Sequence, residues 1–165
     1  MDARKKDELR REMNLLEADG KTFKYRNNKQ ESPYSGKFTG TLTGTDLGSR
    51  FFEATSVSIS DGEYYQVVGD YRIPESGIYE WIVINVHTTQ TGPVKIITFD
   101  EWLDGKEGVV MGGLVGNFPF SYSRGVITID SKSSDGFEVS DLKFTYSSGE
   151  KEYSFSDGHV SIEKN

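Results

Sequence analysis

The sequence predicts an all-β fold: an antiparallel β-sandwich or jelly-roll or barrel-like domain of about ten strands, with one N-terminal α-helix. Three observations carry this. From Lys21 to Ile162 the chain alternates apolar and polar residues in short runs, and the runs are separated by Gly and Asp-Gly, as consecutive antiparallel strands are. Phe and Tyr, ten and nine of the 165 residues, supply large bodies for a core. A chain of this length buries one core and is short for two, so residues 1–20 read as a charged helical appendage and 21–165 as a single all-β domain.

The helix is predicted from about Asp2 to Asp19, with Asp2 as N-cap and Gly20 where a C-terminal cap belongs. Leu9, Met13 and Leu16 fall on one stripe, widened by Leu15, and form a candidate partner-binding surface. Arg4, Lys5, Lys6, Arg10 and Arg11 make a basic face.

Lys21 to Arg26 reads as a short strand and Asn27 to Ser35 as a loop. Lys37 to Thr43 alternates Phe38 and Leu42 with threonines, and Gly44 to Ser49 turns the chain. Arg50 to Ser60 reads as one strand with a bulge, because its apolar phase moves from Phe52 and Ala54 to Val57 and Ile59. Asp61-Gly62 is a hairpin signal feeding Glu63 to Ile73, and Pro74 to Gly77 turns again. Ile78 to His87 is apolar on both parities, which predicts a central strand covered on both sides. Val94 to Phe99 is the next strand, and Asp100 to Asn117, rich in Gly and acids, has no clear periodicity. Phe118 to Ser123, Gly125 to Asp130, Phe137 to Tyr146, Glu152 to Ser156 and His159 to Ile162 complete the strands, with Asp157-Gly158 read as the last turn.

Charge is uneven. Residues 1–30 hold nine basic against six acidic residues and the remainder ten against twenty, about +3 beside −10 in a chain of net charge −7. An acidic β domain repels phosphate backbones, so no nucleic-acid role is expected. Cysteine is absent, which removes disulfides, thiolate metal sites and cysteine nucleophiles. No apolar run is long enough for a membrane-spanning helix, and Met1 to Gly20 has no signal-like core. The compartment is therefore cytoplasmic, or the periplasm or envelope if an export signal has been removed.

Catalytic chemistry finds little footing. The two histidines, His87 and His159, lie in no nucleophile motif. Glu80 with Asp100 or Glu101 would suit an acid-pair glycoside hydrolase, the weakest of the functional readings. Asp100, Glu101, Asp104 and Glu107 are hard oxygen ligands, but their spacing matches no calcium loop; no metal and no cofactor are expected. Aromatic faces are the better ligand candidates: Trp102, Tyr64, Tyr65, Tyr79 and Trp81, with His87 at a strand end, could stack on a carbohydrate or small ligand.

Phe38-x-x-x-Leu42-x-Gly44, Phe52-x-Ala54, Ile59-x-x-Gly62, Gly125-x-Ile127-x-Ile129, Val139-x-Asp141-x-Lys143-Phe144-x-Tyr146 and Phe155-x-Asp157-Gly158-x-Val160-x-Ile162 resemble small β-sandwich domains of uncharacterised bacterial envelope lipoproteins. The resemblance implies a sandwich fold and an envelope location, and carries no catalytic residues. The expectation is a non-enzymatic binding or protein-interaction module of an envelope or accessory assembly; the alternative is a carbohydrate or small-ligand binder.

Overall fold

The computed structural model describes residues 1–13, 15, 32–73, 78–115, 118–120 and 124–165. Helix α1 (Ala3–Glu12) is followed by strands β1 (Tyr34–Gly44), β2 (Gly48–Glu53), β3 (Ser56–Asp61), β4 (Tyr65–Ile73), β5 (Ile78–His87) and β6 (Gly92–Ile96). A short helix α2 (Phe99–Leu103) precedes β7 (Gly108–Val115), β8 (Phe118–Phe120), β9 (Arg124–Lys132), β10 (Gly136–Ser148) and β11 (Lys151–Lys164).

The strands form one sheet in the order β2-β1-β11-β10-β9-β6-β7-β5-β4-β3, with β8 paired to β7. The sheet curls until its two ends approach one another. Ser32 Oγ, just before β1, donates to the Val57 carbonyl of β3 across 2.7 Å. A Cβ on Gly69 of β4 would lie 2.7 Å from the Phe38 ring of β1, so only glycine lets that ring cross the seam. Arg50 of β2 reaches Glu80 of β5 and closes the same seam lower down, Nη1 to Oε1 at 2.9 Å and Nη2 to Oε2 at 2.6 Å.

One parity of every long strand points into the enclosed core. Phe38, Leu42, Val67, Ile82, Ile84, Val109, Met111, Ile127, Phe137, Leu142, Phe144, Phe155 and Val160 are all buried there. Aromatic rings fill its width: Phe144 stacks on Phe155 at 5.0 Å, Tyr146 on Tyr153 at 5.1 Å and Phe120 on Tyr146 at 4.5 Å. Such pairs add roughly 0.5–1.5 kcal/mol each beyond the area they bury. The interior is thus packed with side chains and barrel-like.

Several sequence expectations are corrected. The helix ends at Glu12 with Met13 as its C-cap; Gly20, Leu16 and the Lys21 to Arg26 strand lie outside the described residues. Arg50 to Ser60 is two strands at opposite ends of the sheet, so the phase change marks the crossing at Ala54 and Thr55 rather than a bulge. Asp61-Gly62 does turn a hairpin, pairing Asp61 with Tyr65. Asp157-Gly158 does not: β11 runs through it as a bulge, with Asp157 at φ 51°. The ladders to β1 and β10 slip opposite it, at Thr39/Thr41 and between Val139 and Phe144. Such a slip bends three strands together and turns the sheet.

The stretch from Asp100 to Asn117, expected to be irregular, holds α2 and a central strand. Its glycines hid β7, whose burial is nearly complete. Strands β6 and β7 are parallel, Ile96 opposite Val109, the one departure from antiparallel pairing among the described strands. A parallel pair needs a crossover, usually helical, and α2 is that crossover.

Candidate functional site

Side chains on the outer parity of β4, β5 and β7 meet the two helices. Thr98 and Glu101 form a reciprocal capping box at the start of α2: Glu101 N–H donates to Thr98 Oγ1 at 3.0 Å, and Thr98 N–H to Glu101 Oε1 at 3.2 Å. The Thr98 backbone, then Lys106 Nζ at 3.1 Å, holds the Glu101 carboxyl below the usual range. The cap fixes a helix of only five residues and aims Phe99 and Trp102 at the sheet.

Trp102 stacks on His87 at 4.6 Å and meets Tyr64 edge-on at 5.8 Å; Tyr64 also meets His87 edge-on at 5.9 Å. Burial first, and Lys132 second, press the His87 pKa down to about 4. Its Nε2 is buried with no hydrogen-bond partner among the described residues, which favours the neutral ring. Burial, then Glu63 and Glu12, raise the Tyr64 hydroxyl above its ordinary value.

Beside this trio lies the seat of α1. Met13 and Leu15, both without exposed surface, pack with Ile97, Phe99 and Val110, and Leu9 leans on the same cluster. Asn85 Nδ2 donates to the Met13 carbonyl at 2.9 Å and to the Val110 carbonyl at 3.2 Å, and Gln66 Nε2 donates to the Glu12 carbonyl. These amides satisfy carbonyls that a helix C-terminus leaves open. Arg10 lies over the Phe99 ring at 4.8 Å and Lys6 stands 4.0 Å from Asp100.

The structure therefore brings together three of the six proposed ligand aromatics, Trp102, Tyr64 and His87. Tyr65 is separated from its neighbour Tyr64 by strand parity: it enters the core, its hydroxyl 2.7 Å from the Ser133 carbonyl. Trp81 and Tyr79 sit further along the outer face, Trp81 buried with Val68 and Val83, Tyr79 under Arg72 at 4.5 Å. One face of the Trp102 ring is stacked on His87, and the residue is part-buried. Leu9 and Met13, offered as a partner stripe, are corrected: they face the sheet and hold α1 down.

The acid pair does not assemble. Glu80 is inside the barrel, 2% exposed and clamped by Arg50, whereas Asp100 and Glu101 lie outside, beyond the His87 end of β5, roughly 23 Å along the strand at ~3.3 Å per residue. His159 is exposed on β11. Among the described residues no three His, Asp or Glu side chains gather as a metal site, and no helix is long and apolar enough to cross a membrane.

Sequence reasoning missed Asn85 and Gln66. The signal was present, in two amides at outward positions within the apolar runs of β4 and β5, but nothing in the sequence says what they would bind. Comparison with protein-family models, curated proteins and solved structures gives no match.

Proposed function

We propose that the protein is a non-enzymatic protein-interaction module that pairs with an extended segment of its partner along the edge of β2. The observation that carries this is the position of β2. It ends the sheet with β1 on one side and no strand hydrogen-bonded to its other edge among the described residues, its contact across the seam being the Arg50 and Phe52 side chains, and it presents Phe51, 63% exposed. An unpaired strand edge is a template for another strand, and an adjacent aromatic side chain adds a specific anchor. Two other routes are weaker. The described interior is packed with stacked rings, and the aromatics near Trp102 pack on each other. The resemblance to envelope lipoprotein domains supplies the proposed setting, an envelope or accessory assembly.

The test is site-specific photocrosslinking in the cells that make the protein, with benzoylphenylalanine in place of Phe51 and, as control, of Thr145 on the exposed face of β10. A discrete adduct at 51 and none at 145 is expected. Binding of the purified partner should then fall at least about tenfold in Phe51→Asp and in Ser49→Pro, which blocks the edge, and stay unchanged in Thr145→Asp. Equal adducts at both positions, or binding indifferent to both β2 variants, would overturn the reading.

A further inference from the structure

We infer that the outer face under α1 is a peptide-binding seat, filled in cis by the protein's own N-terminal segment, and that it accepts in trans a short basic amphipathic helix whose end leads into an apolar-x-apolar step. This site is separate from the β2 edge and does not depend on it.

The seat has the parts such recognition needs. Its polar contacts go to main-chain atoms: Asn85 takes the Met13 carbonyl and Gln66 the Glu12 carbonyl, so any helix end placed there meets the same donors. Its specificity lies in two apolar anchors, Met13 and Leu15, over Ile97, Phe99 and Val110. Charge complements the occupant, with Asp100 beside Lys6 and the Phe99 ring under Arg10. The seat is also incompletely satisfied by its present occupant. Asn85 has no exposed surface, yet its Oδ1 has no hydrogen-bond partner among the described residues, an acceptor that an N–H of a better-fitting segment would fill.

The occupant is built to leave. No residue of α1 itself is buried, and ten-residue helices are marginal on their own, drawing their stability from packing. Attachment therefore rests mainly on the two anchors and on the Asn85 and Gln66 side chains that hold the helix end, with Leu9 and Arg10 leaning on the same cluster. Local openings of this kind cost less than global unfolding. A tethered segment competes at an effective concentration on the order of millimolar, which hides the seat from weak trans ligands until the tether is released.

The probe is a fluorescein-labelled peptide with the sequence of Met1 to Leu15, titrated by anisotropy against the full-length protein and the full-length double variant Met13→Asp, Leu15→Asp, each checked by circular dichroism. Binding to the variant at least about tenfold tighter than to the wild type is expected, and adding Asn85→Ala should reverse the gain. A folded variant that ignores the peptide overturns the proposal, as does peptide binding indifferent to Asn85. A wild-type protein that forms concentration-dependent dimers by exchanging the segment would assign the seat to a second copy instead, against the proposal. Native-state hydrogen exchange decides the matter without any variant: amides of Lys6 to Met13 must exchange at least about a hundredfold faster than those of β5 and β7. Equal protection would mean the seat does not open.

Discussion

Two stretches of one sheet turn opposite kinds of outer surface to the surroundings. On β4, β5 and β7 the outward positions Gln66, Val68, Trp81, Val83, Asn85 and Val110 are buried, and Arg72, Tyr79, His87 and Leu114 are part-buried. On β1, β2 and β9 to β11 they are Thr39, Thr41, Thr43, Thr145, Ser154, Ser156 and Glu163, part-buried or exposed, with Phe51 and Val126 as the large apolar exceptions. The inner parity is the same in both halves. What differs among the described residues is a second layer, present only where the strands are apolar on both faces. The chain thus marks in its outward residues which part of the sheet is covered and which is left bare among the described residues.

The sharpest way to break this contrast is to place a charge on each face. Val83→Asp, in the middle of β5 with no exposed surface, should cost at least about 3 kcal/mol, because an unpaired carboxylate replaces packed methyls. Thr145→Asp on the exposed side of β10 should stay within about 0.5 kcal/mol. Urea denaturation of the two variants measures the difference; equal losses would mean the bare face is covered after all.

A second contrast is in pH. His87 belongs to the covered half, and its folded-state pKa of about 4 lies below the ordinary 6.5. The unfolded chain therefore binds the proton first. His87's contribution is complete above about pH 6.5 and drains as pH falls toward 4, on the order of 1–2 kcal/mol once screening of its partly exposed ring is allowed for. Unfolding followed from about pH 7 to 4.5 should show a shallower slope in His87→Gln than in the wild type; an unchanged slope would mean that His87 is not held neutral by the covered layer.

How much of this was legible in the sequence follows the same division. Ile78 to His87 was readable to the residue, because a strand apolar on both parities has one place to go. The alternating strands of the bare half were mostly readable too, since one buried face dictates register, but β2 was run together with β3 because the crossing at Ala54 and Thr55 has the phase change of a bulge. The reading failed where glycine carried the structure. GVVMGGLV looks like a loop until β5 and β6 flank it, and Asp157-Gly158 has the composition of a turn but the neighbours of a bulge. It failed again at the site, where Tyr64 and Tyr65 are adjacent in sequence yet separated by strand parity, and where Trp102 reaches His87 only because a capped turn of helix directs it. Removing that cap tests the point: Thr98→Ala should cost about 1 kcal/mol and free Trp102, seen as a red-shifted, more quenchable tryptophan emission.

The smallest effect is the most informative about function. Phe51 is a large aromatic on a terminal strand, and if its role were packing, its truncation would cost several kcal/mol, as core phenylalanines do at about 3–5 kcal/mol. Exposed as it is on the bare half, with Phe52 taking the inward position beside it, Phe51→Thr should leave stability within about 0.5 kcal/mol. Thr suits an edge strand as well as Phe does, so the ladder to β1 has no reason to change. A loss beyond about 1.5 kcal/mol would place a second layer over β2 and erase the distinction between the two halves. A neutral outcome would leave an aromatic side chain on an open strand edge that folding does not require, which is the condition a docking residue has to meet.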